Sequence, residues 1–436
     1  MAERIDRSHA PRRSFPAGLA GLGAPLVIAA LAQSLLPGAP NAHGGVPPPS
    51  MAALAATPAV ASALKKADAS RDLLVAEWTR IASIPSFSGQ EGGRADAIEA
   101  AFREAGLEGV RRDAAGNVIG ILPGRDRSAK TSVFMAHMDT VAQPGADFTM
   151  RRDGDRLRGP GVRDDSAGLA AILASARLAR EAGVVPPVDT LLVASVEEET
   201  GLKGSQAFLE AMGAGVGSFV AVDGYLGQIS YGATGIYWMK MHFKAKGSHT
   251  LKSYENPSAT LAAAKAIEAI YRIAVPRHPE ELESWLNVGM LGGGEVPNAQ
   301  ARDAWFTVDL RSNDVARIAD LEGQIVGACK AAASEVGVTF EAESLQRLKG
   351  AEIEGMRDSA IVAAARGALE FLDWRDVMIT PRGTADHNIA IQRGIPGVGI
   401  GVTTGDGAHT PDEVADIPPY VTGVKQLILL IASPLN

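Results

Sequence analysis

The chain has 436 residues, of which 46% are hydrophobic and 21% are charged, and these proportions exclude a largely disordered protein. Its formal net charge of −8 argues against nucleic acid as the main partner. The single cysteine excludes an internal disulfide bond and any metal site built from several thiolates, so a metal here would need histidine and carboxylate ligands.

Residues 1–49 have the composition of an export signal followed by a spacer. A basic stretch with Arg12 and Arg13 precedes an apolar run over 17–36, and small residues and a proline-rich segment follow. This order predicts a signal peptide, and the Arg-Arg-x-Phe core resembles a twin-arginine signal. We therefore expect a periplasmic or secreted protein. An uncleaved membrane anchor and a disordered tail are the alternatives.

From residue 50 to about 233, apolar segments alternate between helical and strand-like spacing. Helices are predicted over 64–83, 94–105, 167–182 and 205–212, and buried strands over 118–122, 132–136, 191–195 and 219–222. The length of the chain also leaves room for a second domain. The alternation predicts an α/β domain with a mostly parallel sheet and helices on both faces. No later segment has eighteen uncharged apolar residues in a row, so no stable membrane association is expected after signal removal.

The pattern changes near Thr234, where residues 237–246 alternate as in an antiparallel strand with one solvated face. The elements that follow are a helix at 258–273, strands at 285–291 and 303–310, a helix at 315–334 and a strand at 338–341. This order is the split-βαβ arrangement of a small α+β domain. The large-domain pattern returns afterwards, with a helix at 359–372, a strand at 397–402 and a helix at 420–432. The sequence thus predicts an inserted domain over 234–346 between two parts of a larger domain, 50–233 and 347–436.

Histidine and acidic residues follow the predicted strands of the larger domain. They are His137 and Asp139 after the strand 132–136, residues 197–199 after 191–195, Asp223 after 219–222, and His409 beyond 397–402. A glycine-rich loop over 159–168 adds Asp164 and Asp165, either of which could simply cap the helix that follows. Ligand sites of open α/β sheets lie beyond the carboxyl ends of the strands, so we expect these side chains to converge.

So many carboxylates in one place would repel each other unless cations neutralised them. Two imidazoles with carboxylates and no thiolate suit zinc, with cobalt or manganese as alternatives. Two metals that share one bridging carboxylate form the simplest arrangement. Such a pair polarises a carbonyl group and supplies hydroxide near neutral pH.

Taken together and in this order, the motifs resemble the co-catalytic zinc peptidase and amidohydrolase family. That family includes peptidase T, glutamate carboxypeptidase, succinyl-diaminopimelate desuccinylase, acetylornithine deacetylase and aminoacylase. The resemblance covers roughly residues 65–436 and implies that the inserted domain is a lid or dimerisation domain. It implies that His137 and Asp223 hold one zinc, that Glu199 and His409 hold the other, and that Asp164 bridges them.

The resemblance further implies that Glu198 is the general base and that Asp139 orients the His137 imidazole. Three glutamates stand in a row, and Gly201 sets this register, with a slip by one residue as the alternative. Family members often have lysine where this chain has Ser166, and aspartate where it has Glu197.

The same resemblance implies that five residues outside the metal cluster contact the substrate or the reaction intermediate. His249, after the first lid strand, would stabilise the oxyanion and could reach the site of a neighbouring subunit in a homodimer formed through the lid. Asn298 and Arg311 would bind the substrate carboxylate, for which the forked guanidinium group is suited. Gly383 and Thr384 would form a loop on the substrate side.

The sequence therefore predicts an exported dinuclear zinc metallopeptidase that cleaves a small peptide near a free carboxylate. An N-acyl-amino-acid deacylase on the same scaffold is the alternative. A catalytically inactive binding protein is disfavoured, because a base and a full set of ligands are present.

Overall fold

The computed structural model describes residues 50–252, 255–277 and 283–436. The predicted export signal and spacer, residues 1–49, lie outside the described residues. Four helices open the described chain: α1 (Met51–Ala55), α2 (Pro58–Ala69), α3 (Arg71–Ala82) and α4 (Gly92–Glu104). The sequence predicted one helix over 64–83, but Ser70 divides it. The Ser70 N–H bonds to Ala67 O, three residues back, which ends α2, and α3 begins at the next residue.

Strands and helices then alternate as predicted for the first part of the larger domain. The elements are β1 (Glu108–Arg112), β2 (Val118–Leu122), β3 (Thr131–His137), β4 (Arg151–Asp153), β5 (Arg156–Arg158), α5 (Ser166–Glu181), β6 (Thr190–Ser195), α6 (Lys203–Met212), β7 (Val216–Val222) and β8 (Gln228–Ser230).

The lid follows with four long strands and two long helices. Its elements are β9 (Gly235–Lys244), β10 (Ser248–His249), α7 (Ala259–Ile270), β11 (Ser284–Gly293), β12 (Ala299–Gln300), β13 (Asp303–Ser312), α8 (Val315–Val336) and β14 (Thr339–Leu348). The four long strands form an antiparallel sheet in the order β11-β13-β9-β14.

One face of the lid sheet is covered by α7 and α8 around a core that includes Met241, Phe243 and Phe306. On β9 the intervening residues, from Trp238 to Lys244, face the other side, as the alternation predicted. The strand predicted at 338–341 is seven residues too short at its end, because β14 is an edge strand whose central residues are exposed on both faces and show no apolar alternation.

The last segment returns to the larger domain and completes its sheet. Its elements are α9 (Ala360–Phe371), β15 (Met378–Thr380), α10 (His387–Gln392), β16 (Gly397–Ile400), β17 (Gly405–Asp406), β18 (Val414–Asp416) and α11 (Ile417–Ala432). The large sheet has eight strands in the order β1-β2-β6-β3-β7-β16-β8-β15.

The central strands β6, β3, β7 and β16 run parallel to one another. They are buried on both faces, with α5 and α11 in the core on one side and α6 and α10 in the core on the other. This confirms the predicted α/β class with a mostly parallel sheet and a second, lid domain. Within the described ranges, every helix is too short or too polar to cross a bilayer.

Candidate metal centre and active-site clefts

The polar cluster lies where the central parallel strands end. His137 is the last residue of β3, the glutamate triplet begins two residues after β6, and Asp223 directly follows β7. His409 lies in the loop between β17 and β18, beyond β16. Because β3 pairs in parallel with both β6 and β7, and β7 with β16, their carboxyl ends meet at one edge of the sheet.

His137 is buried, and its two ring nitrogens face different partners. Nδ1 lies 3.0 Å from the backbone oxygen of Asp139 and 3.3 Å from Asp139 Oδ1, while Nε2 lies 3.1 Å from Asp164 Oδ1. Burial opposes the charged imidazole, but hydrogen bonds to Asp139 and Asp164 and the charge of Glu198 raise the pKa of His137 well above its ordinary value. A proton on Nδ1 directed at Asp139 leaves the Nε2 lone pair facing the cluster.

The Asp164 carboxylate lies between the two histidines. Its Oδ1 faces His137, and its Oδ2 lies 3.4 Å from Nε2 of His409, which is also 3.3 Å from Glu199 Oε1. The neighbouring carboxylates of Asp164 and then Glu199 raise the pKa of His409 to about 10. Burial would raise the pKa of Asp164, but hydrogen bonds from both imidazoles hold it well below its ordinary range.

The donor atoms of this cluster lie close enough together to share a divalent cation. Ligand atoms of His137, Asp164 and Glu199 lie within 4.8 Å of one another, and the buried Glu199 Oε1 makes no hydrogen bond. Burial first, and then the negative charge of Asp164, raises the pKa of Asp223 to about 7. Burial and neighbouring carboxylates, opposed by His137, also raise the pKa of Glu198. Nitrogen and oxygen donors with excess buried negative charge fit a divalent metal site.

The lone cysteine plays no part in this cluster. Cys329 lies in the core of the lid, on α8, where burial raises the pKa of its thiol to about 12. The candidate metal ligands in the described cluster therefore offer nitrogen and oxygen atoms only.

Asp139 contacts three parts of the site. Besides facing His137, its Oδ1 accepts a hydrogen bond from the Glu198 N–H at 3.0 Å, and its Oδ2 accepts from the Glu199 N–H at 3.2 Å. Ser88 Oγ donates to the same Oδ2 at 2.6 Å. One buried carboxylate thus fixes the backbone of two glutamates as well as an imidazole.

Glu197, the first member of the triplet, points away from the metal-ligand candidates. It adopts a left-handed backbone with φ of 49°, its N–H donates to Glu91 Oε1 at 3.0 Å, and its carboxylate pairs with Lys203. Glu198 is buried, with 8% of its surface exposed, and Glu199 reaches His409. This turn of the chain brings the second and third glutamates, and not the first, into the cluster.

The two adjacent aspartates have different surroundings. Asp165 accepts from the Gly168 N–H at 3.1 Å, as the cap of α5, and from the His137 N–H at 3.0 Å. Its neighbour Asp164 faces the imidazoles. The helix-cap interpretation therefore holds for Asp165, and the site interpretation is compatible with Asp164.

Glu413 is a site residue to which the sequence assigned no role. Its buried carboxylate accepts hydrogen bonds from the N–H groups of Gly161 at 3.0 Å, Arg163 at 2.9 Å and Asp164 at 2.8 Å. Trp78 Nε1 holds the same loop by donating to Val162 O at 2.7 Å. These contacts fix the backbone that carries Asp164. No local pattern points to them, because about 250 residues separate Glu413 from the loop.

A central cleft of about 240 Å³ joins the cluster to the lid. It is lined by Asp164, Glu198, Glu199, Asp223 and His409 from the larger domain, by Thr384, and by lid residues that include Trp238, Arg311 and Gln346. The structure thus brings Arg311 and Thr384 together with the metal-ligand candidates and Glu198. Arg311 Nε donates to both carboxylate oxygens of Asp309, at 3.1 and 3.2 Å.

A second, arginine-lined cavity of about 490 Å³ shares Asp223, Arg311 and Thr384 with the central cleft. Arg163 and Arg382 also line it, together with Tyr225, Trp285 and Gly383. A Cβ atom on Gly383 would lie 2.4 Å from His387 Nε2, so the loop requires glycine at this position. The predicted loop residues Gly383 and Thr384 both face this space.

His249 and Asn298 lie together on a different part of the lid. His249 on β10 pairs with Ala299 on β12, and the Thr250 N–H donates to Asn298 O at 3.0 Å. Both side chains are exposed, and neither lines the central cleft or the arginine-lined cavity. Within one chain, the structure brings these two residues together but does not bring them to the metal-ligand candidates.

The chain was compared with known proteins. A family model described as peptidase family M20/M25/M40 matches residues 133–433. Carboxypeptidase G2 from Pseudomonas sp. (strain RS-16) is 30% identical over 183 residues, which are 39% of this chain and 44% of that protein. The chain thus matches less than half the length of this curated relative.

Solved structures share the fold over most of the chain. Aminopeptidase PepT from Bacillus cereus has a TM-score of 0.72 at 23% identity, and a tripeptidase from Staphylococcus aureus has 0.74 at 24%. Each comparison covers 83% of this chain and 98% of the other. A Bacillus subtilis protein described as a dinuclear metal-binding peptidase from the M20 family has a TM-score of 0.65 at 17% identity, over 84% of this chain and 98% of that one.

The family model spans well over half of the chain and includes all five metal-ligand candidates and Glu198. This match confirms the family resemblance of the sequence motifs. The chain therefore belongs to peptidase family M20/M25/M40.

Proposed function

We propose that this protein is an exported dinuclear zinc hydrolase that cleaves the amide bond of a small peptide or an N-acyl amino acid next to a free carboxylate. The observation that carries the proposal is the Asp164 carboxylate between two imidazoles, with the buried Glu198 lining the same central cleft. The names of the relatives, a carboxypeptidase, an aminopeptidase and a tripeptidase, support peptide substrates.

His137 and Asp223 would hold one zinc, Glu199 and His409 the other, and Asp164 would bind both. Cobalt or manganese would suit the same nitrogen and oxygen donors. When bound, the metal ions would polarise the scissile carbonyl and lower the pKa of water. Burial first, and then neighbouring carboxylates, raise the pKa of Asp223 and of Glu198, and cations bound beside these groups would favour their charged forms.

Glu198 acts as the general base and then as the general acid. Its carboxylate takes a proton from the attacking water and returns it to the nitrogen of the leaving amine. Its backbone N–H donates to Asp139, which fixes the position of this residue in the cleft before substrate binds. The neighbouring metal charges would keep Glu198 ionised despite its burial.

Arg311 binds the free carboxylate of the substrate on the leaving-amine side. All of its hydrogen bonds within the described chain come from Nε, so both terminal nitrogens remain for a bidentate contact. The arginine-lined cavity beside it supports an anionic group at this end. Asn298 and His249 would join a site from the lid of a partner subunit in a homodimer, because they lie away from the cleft of their own chain.

The function is tested with a panel of dipeptides, tripeptides and N-acetyl amino acids, each as the free acid and as the amide. We expect hydrolysis of free acids over amides, loss of turnover after chelation, and recovery with Zn²⁺. Elemental analysis of the purified chain should give two zinc ions per chain. Chelator saturated with Zn²⁺ beforehand is the control. Turnover that survives complete metal removal would contradict the proposal, and a zinc-loaded chain that cleaves nothing would favour the binding-protein alternative.

Export by the twin-arginine route is tested through the leader. Replacing Arg12 and Arg13 with lysine should trap the precursor in the cytoplasm, because this route recognises the arginine pair. Replacing Arg4 and Arg7 with lysine makes the same number of changes in the same leader and should leave export intact. Fractionation and immunoblotting report the result. Equal export of both variants would indicate the general secretory route.

A further inference from the structure

An apolar cavity of about 510 Å³ adjoins the metal-ligand cluster, and Arg311 is not among its lining residues. It shares Asp164, Glu199 and His409 with the central cleft, so it is continuous with the proposed metal centre. Its other lining residues come from the segment after β3 and from two loops: Thr140, Val141, Ala142, Gln143, Pro144, Ala146, Pro160, Gly161, Thr410, Pro411 and Glu413.

The lining residues of the three cavities indicate which part of the substrate the apolar cavity would hold. Arg311 lines the central cleft and the arginine-lined cavity but not the apolar cavity. If Arg311 binds the carboxylate of the leaving amine, the acyl part of the substrate extends in the opposite direction from the scissile bond. The apolar cavity shares lining residues with the central cleft but none with the arginine-lined cavity, so it is the space available to the acyl part. Its volume is in the range of small-molecule sites.

The polar groups of this cavity are already occupied by the protein. Glu413 directs its carboxylate to the N–H groups of the loop that carries Asp164. Thr140 Oγ1 donates to Ser86 O at 2.8 Å. Apart from the metal-ligand candidates, no carboxylate among the described lining residues is left to pair with an α-ammonium group. Gln143 Nε2 donates to Val141 O at 3.3 Å, and Thr410 Oγ1 donates to Gly407 O at 2.7 Å. The other lining side chains are those of alanine, valine and proline.

The wall also depends on one glycine. Gly161 has φ of 65°, and a Cβ atom there would lie 2.3 Å from Thr140 Cγ2. Any larger residue would push apart the two segments that form the wall. The cavity is therefore shaped by the same loop that Glu413 and Trp78 hold in place.

We propose that the apolar cavity is the acyl-side subsite and that it selects a bulky apolar acyl group without a free α-amine. This inference rests on the proposed function and narrows its substrate class to N-acyl amino acids and N-blocked peptides with an apolar acyl group. Burial of acyl methylenes would supply the preference, and an ammonium group would lose its hydration without gaining a partner.

Two matched substrate pairs with the same C-terminal amino acid test the proposal on the zinc-loaded enzyme. The first compares N-hexanoyl with N-acetyl, and we expect kcat/KM to be at least tenfold higher for hexanoyl, since a buried methylene changes transition-state binding severalfold. The second compares N-(3-phenylpropanoyl) with phenylalanyl, which differ only in the α-ammonium. We expect at least a tenfold preference for the compound without the amine.

Filling the apolar cavity should abolish the preference for the hexanoyl over the acetyl substrate. Ala142→Phe places a ring in the apolar cavity, and the hexanoyl to acetyl ratio of kcat/KM should fall at least tenfold. Ala129→Phe is the matched control, because Ala129 lines a separate cavity with Lys130, Arg393 and Asn436. That variant should keep the wild-type ratio. Zinc content and thermal unfolding verify that both variants are folded.

The outcomes separate this inference from the proposed function. Hydrolysis of all four compounds with ratios near one would overturn the apolar subsite while leaving the metal hydrolase intact. A preference for phenylalanyl over 3-phenylpropanoyl would overturn the exclusion of the amine and favour an aminopeptidase. Hydrolysis of none of the four, nor of the wider panel, would overturn both. An unchanged ratio in Ala142→Phe would place the acyl group outside this cavity.

Discussion

Glu198→Gln is expected to retain two zinc ions per chain and to lose turnover by about 10²- to 10⁴-fold, the usual contribution of a general acid–base. The amide keeps the shape of the side chain but cannot accept a proton from water. The Glu198 N–H bond to Asp139 comes from the backbone, so the local fold should persist. Steady-state kinetics on the best panel substrate and elemental analysis measure the two effects.

The triplet itself supplies matched controls. Glu199→Gln should weaken metal binding, because ligand atoms of Glu199, His137 and Asp164 lie within 4.8 Å of one another and could hold the same ion. Glu197→Gln should leave both turnover and metal content near the wild-type level, since Glu197 faces Lys203. If Glu198→Gln loses metal and Glu199→Gln keeps it, the roles of the two residues are reversed and the assigned register is wrong.

Arg311→Ala is expected to cost about 2–5 kcal/mol in the apparent barrier for a free-acid substrate, the range for truncating one partner of a buried charged pair. Lysine should rescue only part of this loss, because a single ammonium cannot reproduce the bidentate fork. An amidated substrate has no carboxylate to lose, so its already lower rate should hardly change. The measurement is kcat/KM for one acid–amide pair in the wild type and in both variants.

Arg272→Ala is a suitable control for this substitution. Arg272 is also in the lid, but it is exposed and pairs with Glu268 on the preceding helical turn. It should change neither the acid preference nor the metal content. Equal losses of kcat/KM on the acid and the amide in Arg311→Ala would mean that Arg311 acts through closure or folding of the lid. A free carboxylate would then no longer be part of the proposed substrate.

Several features could be predicted from the sequence because they are carried by local patterns. Buried parallel strands are continuous apolar runs, and the antiparallel strand β9 alternates apolar and polar residues. The residues that follow each strand indicate the chemistry of the site, since the carboxyl ends of parallel strands meet at one edge of the sheet. The weakest signals were missed for physical reasons. Edge strand β14 buries few side chains, and the break at Ser70 depends on one backbone hydrogen bond.

The sequence by itself determined the fold class, the kind of ligands and the order in which they occur along the chain. Only the tertiary structure decided that Asp165, beside the predicted bridging residue Asp164, caps α5 and accepts a hydrogen bond from the His137 N–H. It also decided that Glu413 holds the loop of Asp164, that His249 lies away from the cleft of its own chain, and that an apolar cavity adjoins the cluster. The physical reason is distance along the chain. Periodicity and residue type are local properties, whereas hydrogen bonds and cavity walls join segments hundreds of residues apart and exist only once the chain has folded.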